Sequence, residues 1–159
     1  MDQLKTTIKT DNKEDIYIGS LNNNKRNGRG EMRYINGDIY KGMWKDDKYH
    51  GKGKKTSISG DIYEGDFINN KFEGKGKYTF MSGNIYEGGF KNDMIEGHGK
   101  MIYINGDVYI GNWKNNKYNG TGLKTFKSGK RYIGNFKNGM MEGCGEMLYI
   151  NGDIYIGHF

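Results

Sequence analysis

Apolar and polar residues alternate in short runs along this chain, and the pattern repeats every 23 positions up to the last residue. A Tyr-X-Gly sequence opens every repeat. The repeats begin at Tyr17, Tyr40, Tyr63, Tyr86, Tyr109, Tyr132 and Tyr155, and the seventh consists of five residues only. A fixed period of this length indicates a repeat architecture in which each unit packs against its neighbours. We therefore expect one array over residues 17–159, preceded by an N-terminal segment at residues 1–16.

Each repeat contains two short runs rich in β-branched and aromatic residues, separated by turn-forming residues. In the third repeat, residues 62–67 are followed by an Asn-Asn pair, and residues 74–80 are followed by Ser-Gly. Asn and Gly tolerate the left-handed conformation that tight turns require, so each repeat is typical of a β-hairpin. The recurring glycines argue against a helix, because each would cost roughly 1 kcal/mol relative to Ala. The sequence predicts an all-β fold, an elongated single-layer twisted antiparallel meander of stacked 23-residue hairpins, with a capping strand at residues 4–10.

Aromatic residues fall in fixed columns of this predicted sheet. Because strand side chains alternate between faces, each opening tyrosine shares its face with a glycine two positions on and with a Trp or Phe four positions on. A single sheet covers such a face poorly, and an exposed aromatic surface usually marks a binding site for a partner. The candidate partner surface consists of Tyr40, Trp44, Tyr63, Phe67, Tyr86, Phe90, Tyr109, Trp113, Tyr132 and Phe136.

Two further columns are assigned to structure and not to ligand binding. The Gly-X-Gly pairs recur in register, and none leads into a helix as a phosphate-binding loop would. We expect both glycines of a pair to leave room for an aromatic ring on the backbone, so that Gly97→Val and Gly120→Val would each displace a ring. The aspartates that follow the turn glycines are expected to bond their own backbone. They are Asp38, Asp61, Asp107 and Asp153.

The order of these motifs is similar to that of a known family. In the fifth repeat, Tyr109-Ile-Gly-Asn-Trp113 is followed by a turn and by Gly120-Thr-Gly122. This arrangement resembles the MORN repeat (membrane occupation and recognition nexus), and the resemblance covers residues 17–159. It implies an array of hairpins that offers an assembly or binding surface. Such arrays occur as scaffolds where membrane and cytoskeleton meet, and as accessory modules of lipid kinases and SET-domain methyltransferases.

No group of residues has the spacing of a catalytic or metal-binding site. His50, His98 and His158 stand at three different phases of the repeat, and Cys144 is the single cysteine. His98 and Cys144 share a phase but lie two repeats apart, roughly 20 Å by strand spacing, which is too far for one metal ion. We therefore expect no enzyme activity, no catalytic residue, no metal and no cofactor. The single cysteine fits a reducing compartment, and the chain shows neither a secretory leader nor a long apolar run, so we expect a cytoplasmic protein, with peripheral association at a membrane or the cytoskeleton left open.

The net charge of +6 is unevenly distributed. The fifth repeat contains six basic residues and no acidic residue, and these six form a candidate patch for anionic lipid. They are Lys114, Lys117, Lys124, Lys127, Lys130 and Arg131. Lysine-rich turns are also typical of an ordinary solvated surface, so we expect weak binding of anionic phospholipid at most. Nucleic acid is not expected as a partner, because the second and fifth repeats, which are the most basic, lie about 30 Å apart with an acidic repeat between them.

The leading hypothesis is a non-enzymatic MORN-repeat scaffold that binds protein partners. The last predicted strand carries neither Pro nor Lys to block strand pairing, so it is also a candidate edge for a homodimer. The residues of this edge are Tyr155, Ile156 and Phe159. Two alternatives stay open. One is a peripheral module that binds anionic phospholipid through the basic repeats, and the other is a regulatory repeat module of a separate lipid kinase or methyltransferase.

Overall fold

The computed structural model describes residues 6–8 and 15–159, and these residues form strands and turns without a helix. The strands are β1 Thr6–Ile8, β2 Ile16–Asn22, β3 Lys25–Arg33, β4 Ile39–Lys45, β5 Lys48–Thr56, β6 Ile62–Ile68, β7 Lys71–Thr79, β8 Ile85–Lys91, β9 Met94–Ile102, β10 Val108–Lys114, β11 Lys117–Thr125, β12 Arg131–Lys137, β13 Met140–Leu148 and β14 Ile154–His158. They belong to two compact units that divide after Met81, with β1–β7 in the first and β8–β14 in the second.

Within each unit, every strand pairs antiparallel with the next strand in sequence. Each unit is therefore an antiparallel meander, and the predicted all-β fold of repeated hairpins is confirmed. At the N-terminus, β1 pairs with β2, and Thr7 lies opposite Ile18. Residues 4, 5, 9 and 10 of the predicted capping strand lie outside the described residues, as do residues 1–5 and 9–14 of the predicted N-terminal segment.

Two kinds of turn alternate along the chain. The first joins the two strands of a repeat through two residues at positive φ, as at Asn69 (φ 51°) and Asn70 (φ 69°). Positive φ at both central positions defines the type I′ turn, whose twist matches that of the paired strands. The second turn is closed by a glycine at positive φ, and Gly60 donates its N–H to the Ser57 carbonyl at 2.9 Å. The Asn, Asp and Gly residues at these positions therefore determine where each strand ends.

The core of each unit is a row of tyrosines on one face of the sheet. Tyr17, Tyr40, Tyr63, Tyr86, Tyr109 and Tyr132 are each at most 1% exposed. Each ring lies across two glycines of neighbouring strands: a Cβ atom on Gly53 would come within 2.5 Å of the Tyr40 hydroxyl, and one on Gly42 within 2.6 Å. The Tyr40 hydroxyl donates a hydrogen bond to the Met43 carbonyl at 2.8 Å, beside the β-bulge of this hairpin. Because a bulge disrupts the ladder of backbone hydrogen bonds, the hydroxyl supplies a donor where the ladder is interrupted.

The column of Trp and Phe residues links successive tyrosines. Phe67 lies edge-on between Tyr40 and Tyr63, with ring centroids 5.1 and 5.0 Å away and interplanar angles of 87°. In the second unit, Phe136 lies in the same way between two tyrosines. Edge-to-face pairs of this kind contribute about 0.5–1.5 kcal/mol beyond their buried area. A chain of T-shaped ring contacts therefore connects the repeats within each unit.

The prediction that these rings form an exposed partner surface is wrong, because the sheet covers them with its own side chains. The ten candidates are Tyr40, Trp44, Tyr63, Phe67, Tyr86, Phe90, Tyr109, Trp113, Tyr132 and Phe136, and each is at most 5% exposed. Part of the cover is a further column, in which Tyr49 stacks on Tyr40 and Tyr118 stacks on Tyr109, both with ring centroids 3.7 Å apart. Sequence analysis overlooked this column, although a large side chain stands nine residues after each of the first six opening tyrosines.

Side chains at both kinds of turn bond a neighbouring repeat. Asp38 Oδ1 accepts a hydrogen bond from the Ile58 N–H, 20 residues further along the chain, at 2.9 Å. Equivalent bonds join Asp15 to Ile35, Asp61 to Met81, Asn84 to Ile104 and Asp107 to Lys127. At the opposite ends of the strands, in the turns within each repeat, Asn70 Oδ1 accepts a hydrogen bond from the Tyr49 N–H at 2.7 Å. The expectation that the aspartates bond their own backbone is therefore wrong for Asp38, Asp61 and Asp107.

The two glycines of a Gly-X-Gly pair have different roles. A Cβ atom on Gly122 would lie 2.6 Å from the Tyr109 hydroxyl, so this glycine makes room for the ring. Gly120 has a φ of +83° and its nearest neighbour is the Asn112 side chain, whereas Gly97 has a φ of +77° and nothing within 4 Å of its Cβ position. Gly97 and Gly120 therefore serve the backbone conformation, and the expectation that valine there would displace a ring is wrong.

Asparagine substitutions separate these two roles. Asn tolerates positive φ better than Ala, so Gly120→Asn should destabilise the fold less than Gly120→Ala. At position 122 the order should be reversed, because each added atom overlaps the Tyr109 ring, and Gly122→Ala alone should cost about 1–3 kcal/mol. Urea unfolding followed by circular dichroism measures the four free energies of unfolding. The same order of Ala and Asn at both positions would contradict the assignment.

Burial of the tyrosine row predicts a loss of stability in alkali. Burial raises the pKa of Tyr86 and that of Tyr109 to about 12, from an ordinary value of 10.0. Because the folded-state pKa is raised, this stabilisation is complete below pH 10.0 and is lost as the pH rises through about 12. We expect the ultraviolet absorbance of the buried tyrosinates to appear together with the loss of β-sheet circular dichroism. If every tyrosine ionised while the sheet stayed folded, the tyrosine row could not be buried.

Substitution of Asp38 tests the bond between repeats. Asp38→Ala removes the acceptor of the Ile58 N–H and should destabilise the fold by about 0.5–1.5 kcal/mol. Asp38→Asn keeps an oxygen acceptor, as Asn84 does at the same phase, and should stay close to wild type at neutral pH. The hydrogen bond from Ile58 lowers the pKa of Asp38, so its stabilisation is present above pH 3.8 and is lost as the pH falls through the lowered value.

Thermal melts of wild type, Asp38→Ala and Asp38→Asn at neutral and acid pH measure both effects. Equal destabilisation by Ala and Asn at neutral pH would show that the acceptor oxygen is not what matters at this position.

Candidate functional site

The open face of the first unit is the face opposite the tyrosines. Six glycines lie opposite one another across β2–β7. They are Gly19, Gly30, Gly42, Gly53, Gly65 and Gly76, and we call them the glycine row. Since glycine has no side chain, a neighbouring group can approach the backbone closely. Tyrosine rings occupy one face of this row, and the other face is the floor of a groove of about 950 Å³.

Two rows of side chains form the walls of the groove. The residues before and after each glycine point away from the tyrosines, because strand side chains alternate between faces. The Lys54 row consists of Ile18, Glu31, Lys41, Lys54, Glu64 and Lys77. The Lys52 row consists of Ser20, Arg29, Met43, Lys52 and Lys75, with Asp66 paired to Lys52. The rows are two residues apart along a strand, about 7 Å, and the groove crosses six strands over about 24 Å.

The walls of the groove carry an excess of positive charge. Their ionisable residues are the basic Arg29, Lys41, Lys52, Lys54, Lys75 and Lys77 and the acidic Glu31 and Glu64. Lys52 Nζ lies 2.9 Å from an Asp66 carboxylate oxygen, and Lys54 Nζ lies 3.8 Å from Glu64. Among the described residues, Arg29 and Lys75 form no ion pair. Two cations of one wall are therefore available to a ligand.

Glu31 forms ion pairs with Arg33 and Lys41 and with neither Arg29 nor Lys75. Arg33 Nε and Lys41 Nζ lie 2.7 and 3.0 Å from the Glu31 carboxylate oxygens. Burial opposes ionisation of Glu31, but the hydrogen bonds from Arg33 and Lys41 outweigh it and hold the pKa of this carboxyl below its usual value. Glu31 is consequently ionised at neutral pH, and its charge is shared by Arg33 and Lys41.

The corresponding face of the second unit has a different chemistry. Beside its glycines, Ile110, Leu123 and Ile133 lie opposite one another on β10, β11 and β12. This apolar stretch is flanked in the same row by Glu87, Lys100 and Glu146. The positions on the other side of those glycines carry no Lys, Arg, Asp or Glu, and include Asn112, Thr121, Asn135, Cys144 and His158. The two units therefore share one kind of core and differ in the surface that they present.

Sequence analysis did not single out the groove, because it assigned the glycines to one face of the sheet only. A signal was present in the sequence. The residue after the opening tyrosine is Lys41 or Glu64 in the second and third repeats but Ile110 or Ile133 in the fifth and sixth. A comparison of the outward positions between repeats would have shown charged residues at this phase in the second and third repeats and apolar residues in the fifth and sixth.

The structure does not bring the six residues of the candidate lipid patch together. Lys114 and Lys117 lie opposite each other beside the first turn of the fifth repeat, where β10 ends and β11 begins. Lys124, Lys127, Lys130 and Arg131 lie at the other end of β11, about 27 Å away for a strand of nine residues. The ammonium groups of Lys124 and Lys130 lie 5.0 and 4.8 Å from the centroid of the Phe126 ring, a cation–π arrangement. The basic residues of this repeat therefore form two separate groups.

The candidate dimer edge lies on β14 and just after it. Tyr155 is 45% exposed and Ile156 is 76% exposed, and Phe159 is exposed as well. Phe159 lies edge-on against Tyr132 and Tyr155, as the other members of its column lie against their tyrosines. This strand thus offers apolar side chains to solvent, and pairing of two copies through it stays a prediction.

One contact between a cysteine and a histidine was missed by sequence analysis. Cys144 and His158 lie opposite each other on β13 and β14, with Cys144 Sγ 3.5 Å from His158 Nε2. The part of the chain that the structure describes contains no group of three or more His, Cys, Asp or Glu residues that could hold a metal ion. It also contains no helix long and apolar enough to cross a membrane.

Among solved structures, the fold is similar to the TCP domain of SAS-4 (dCPAP) from Drosophila melanogaster, solved in complex with a proline-rich motif of Ana2 (dSTIL). The two chains are 18% identical, the match covers 81% of this chain and 71% of that domain, and the TM-score is 0.53. The TCP10 domain of Danio rerio CPAP, in complex with a peptide of STIL, matches at 14% identity, 96% and 83% coverage and a TM-score of 0.40.

A search of curated protein sequences found no match. The sequence profile of the MORN repeat matches residues 17–39, 40–62, 63–85, 86–108, 109–131 and 132–154. Because these six segments follow one another without a gap and cover most of the sequence, the chain belongs to the MORN-repeat family.

Proposed function

We propose that this chain is a protein-interaction module that binds an extended segment of a partner protein in the groove of its first unit. The observation that carries the proposal is the glycine row, which gives the groove a flat backbone floor between two walls of side chains. The tyrosine face is closed by its own side chains, so the opposite face is the surface on which a partner finds open space.

The dimensions of the groove favour a single extended chain. A width of about 7 Å between the two walls suits one polypeptide strand, and a length of about 24 Å corresponds to roughly seven extended residues. The strands that line the floor already pair with their neighbours, so the partner cannot join the sheet as an added strand there. Recognition would instead use the wall side chains and close packing on the glycine backbone.

Two further observations support this proposal. Membership of the MORN-repeat family implies an assembly or binding surface, and the SAS-4 TCP domain, which has a similar fold, was solved with a bound peptide motif. Binding of anionic phospholipid is less favoured, because the basic residues of the fifth repeat lie at two edges of the sheet. A scaffold role at cytoplasmic membrane–cytoskeleton sites is what the family resemblance implies, and self-association is proposed from the exposed side chains of β14.

An unbiased selection of displayed random peptides tests the proposal. We expect enriched peptides to bind wild type and to lose about tenfold or more in affinity for Met43→Trp, whose bulky ring would fill the middle of the groove. Asn112→Trp is the matched control, because Asn112 occupies the same phase of the repeat in the second unit. Hydrogen exchange of β3–β7 should slow when a peptide binds.

Failure to enrich any peptide would refute the proposal. Peptides that bind wild type and Met43→Trp equally well would place the binding site elsewhere on the molecule.

A further inference from the structure

We infer that the segment held in the groove is acidic, with carboxylates spaced three residues apart that meet Arg29, Lys54 and Lys75 in turn. This inference rests on the proposed function and specifies its ligand. The occupant is a partner polypeptide in extended conformation, and the three basic residues are its contacts.

The first argument is charge. Six basic and two acidic side chains line the groove. One of the six basic residues, Lys52, is neutralised by Asp66, which lies beside the groove. Glu31 is already engaged by Arg33 and Lys41. Arg29 and Lys75 form no ion pair with any of the described residues, and the Lys54–Glu64 contact is a long one at 3.8 Å between exposed side chains. A carboxylate placed in the groove would therefore meet cations that lack a strong competing partner.

The second argument is spacing along the groove. Arg29 lies on β3, Lys54 on β5 and Lys75 on β7, so that successive members of this set are two strand spacings apart. Two spacings are about 9.6 Å, and three residues of an extended chain span about 10 Å. The segment runs across the strands, and each step of three residues carries it from one cation to the next.

The third argument is the alternation of side chains. In an extended segment, side chains at an odd separation point to opposite sides and those at an even separation to the same side. Arg29 and Lys75 belong to the Lys52 row, whereas Lys54 belongs to the opposite wall. Carboxylates at positions i, i+3 and i+6 therefore point to the Lys52 row, the Lys54 row and the Lys52 row again, which is the order in which the cations lie.

Synthetic fluorescent peptides test this spacing directly. One peptide carries Glu at i, i+3 and i+6 in a background of Thr and Ser, a second carries three adjacent Glu residues, and a third carries Gln in place of the spaced Glu residues. Fluorescence anisotropy should show binding of the spaced-Glu peptide about tenfold tighter than that of the Gln peptide, and weaker binding at higher salt. The peptide with adjacent Glu residues should bind less tightly than the spaced one.

Charge reversals in the protein locate the contacts. The double variant Arg29→Glu/Lys75→Glu should weaken binding of the spaced-Glu peptide by about tenfold or more. The control Lys114→Glu/Lys117→Glu changes the net charge equally but alters lysines at the sheet edge of the second unit. Circular dichroism checks both folds. If the reversal variant is unfolded, Arg29→Gln/Lys75→Gln replaces it, with Lys114→Gln/Lys117→Gln as its control.

Three results would overturn the inference. Equal binding of the Glu and Gln peptides would show that charge is not recognised, and equal weakening by both double variants would show attraction to net charge alone. Equal binding of spaced and adjacent Glu would refute the assignment to three separate cations. If the unbiased selection yields groove-binding peptides without acidic residues, this inference fails and the proposed function stands. If it yields no groove-binding peptide at all, the proposed function itself fails.

Discussion

The fit of a tyrosine ring across two bare glycines is the constraint on which the rest of this structure depends. The ring of Tyr40 lies so close to Gly42 and Gly53 that a methyl group on either glycine would overlap it. At the far end of the same side chain, the hydroxyl donates to the carbonyl of residue 43 at the bulge. One side chain thus satisfies a polar group, covers the backbone and fixes the distance between two strands. Repetition of this contact every 23 residues produces the array.

A sheet of one layer normally leaves a face of its core exposed to water, and this chain avoids that through ring-on-ring packing. Phe67 closes the gap between two tyrosines, and Tyr49 lies flat on the tyrosine of its own repeat. The apolar surface that a second layer would cover in a sandwich is here covered by side chains of the same sheet. This packing restricts the sequence, because the aromatic and glycine positions on this face tolerate only side chains of the right size.

Local signals in the sequence were sufficient to predict the hairpins, but the contacts between repeats were not predicted. The turn at Asn69 and Asn70 requires positive φ at two adjacent residues, and that requirement is visible in the residue types themselves. The bond from Ile58 to Asp38 joins residues 20 positions apart, and it depends on how successive turns are placed in space. The burial of Phe67 was missed for the same reason, since part of its cover, Tyr49, comes from the preceding repeat.

The groove could not be predicted from the residue types alone, because the register of β3–β7 must be known before Arg29 and Lys75 can be assigned to the same wall. Register also decides that the glycines line up in a row and not on a diagonal. The net charge of each repeat was correctly counted from the sequence. Its division between the groove, the turns and the two edges of the sheet is a property of the folded chain.

The outward positions beside the glycine row contribute little to the core, and this has a consequence for how such a protein changes over time. At one phase of the repeat the chain carries Lys41, Glu64, Ile110 and Ile133 on the same backbone geometry. Substitutions at outward positions can therefore change the surface of the sheet while the inward residues stay as they are. Duplication or loss of one repeat would lengthen or shorten the row by two strand spacings, about 10 Å. Under the proposed function, the number of repeats would set the length of the bound segment, and the outward residues would determine its sequence.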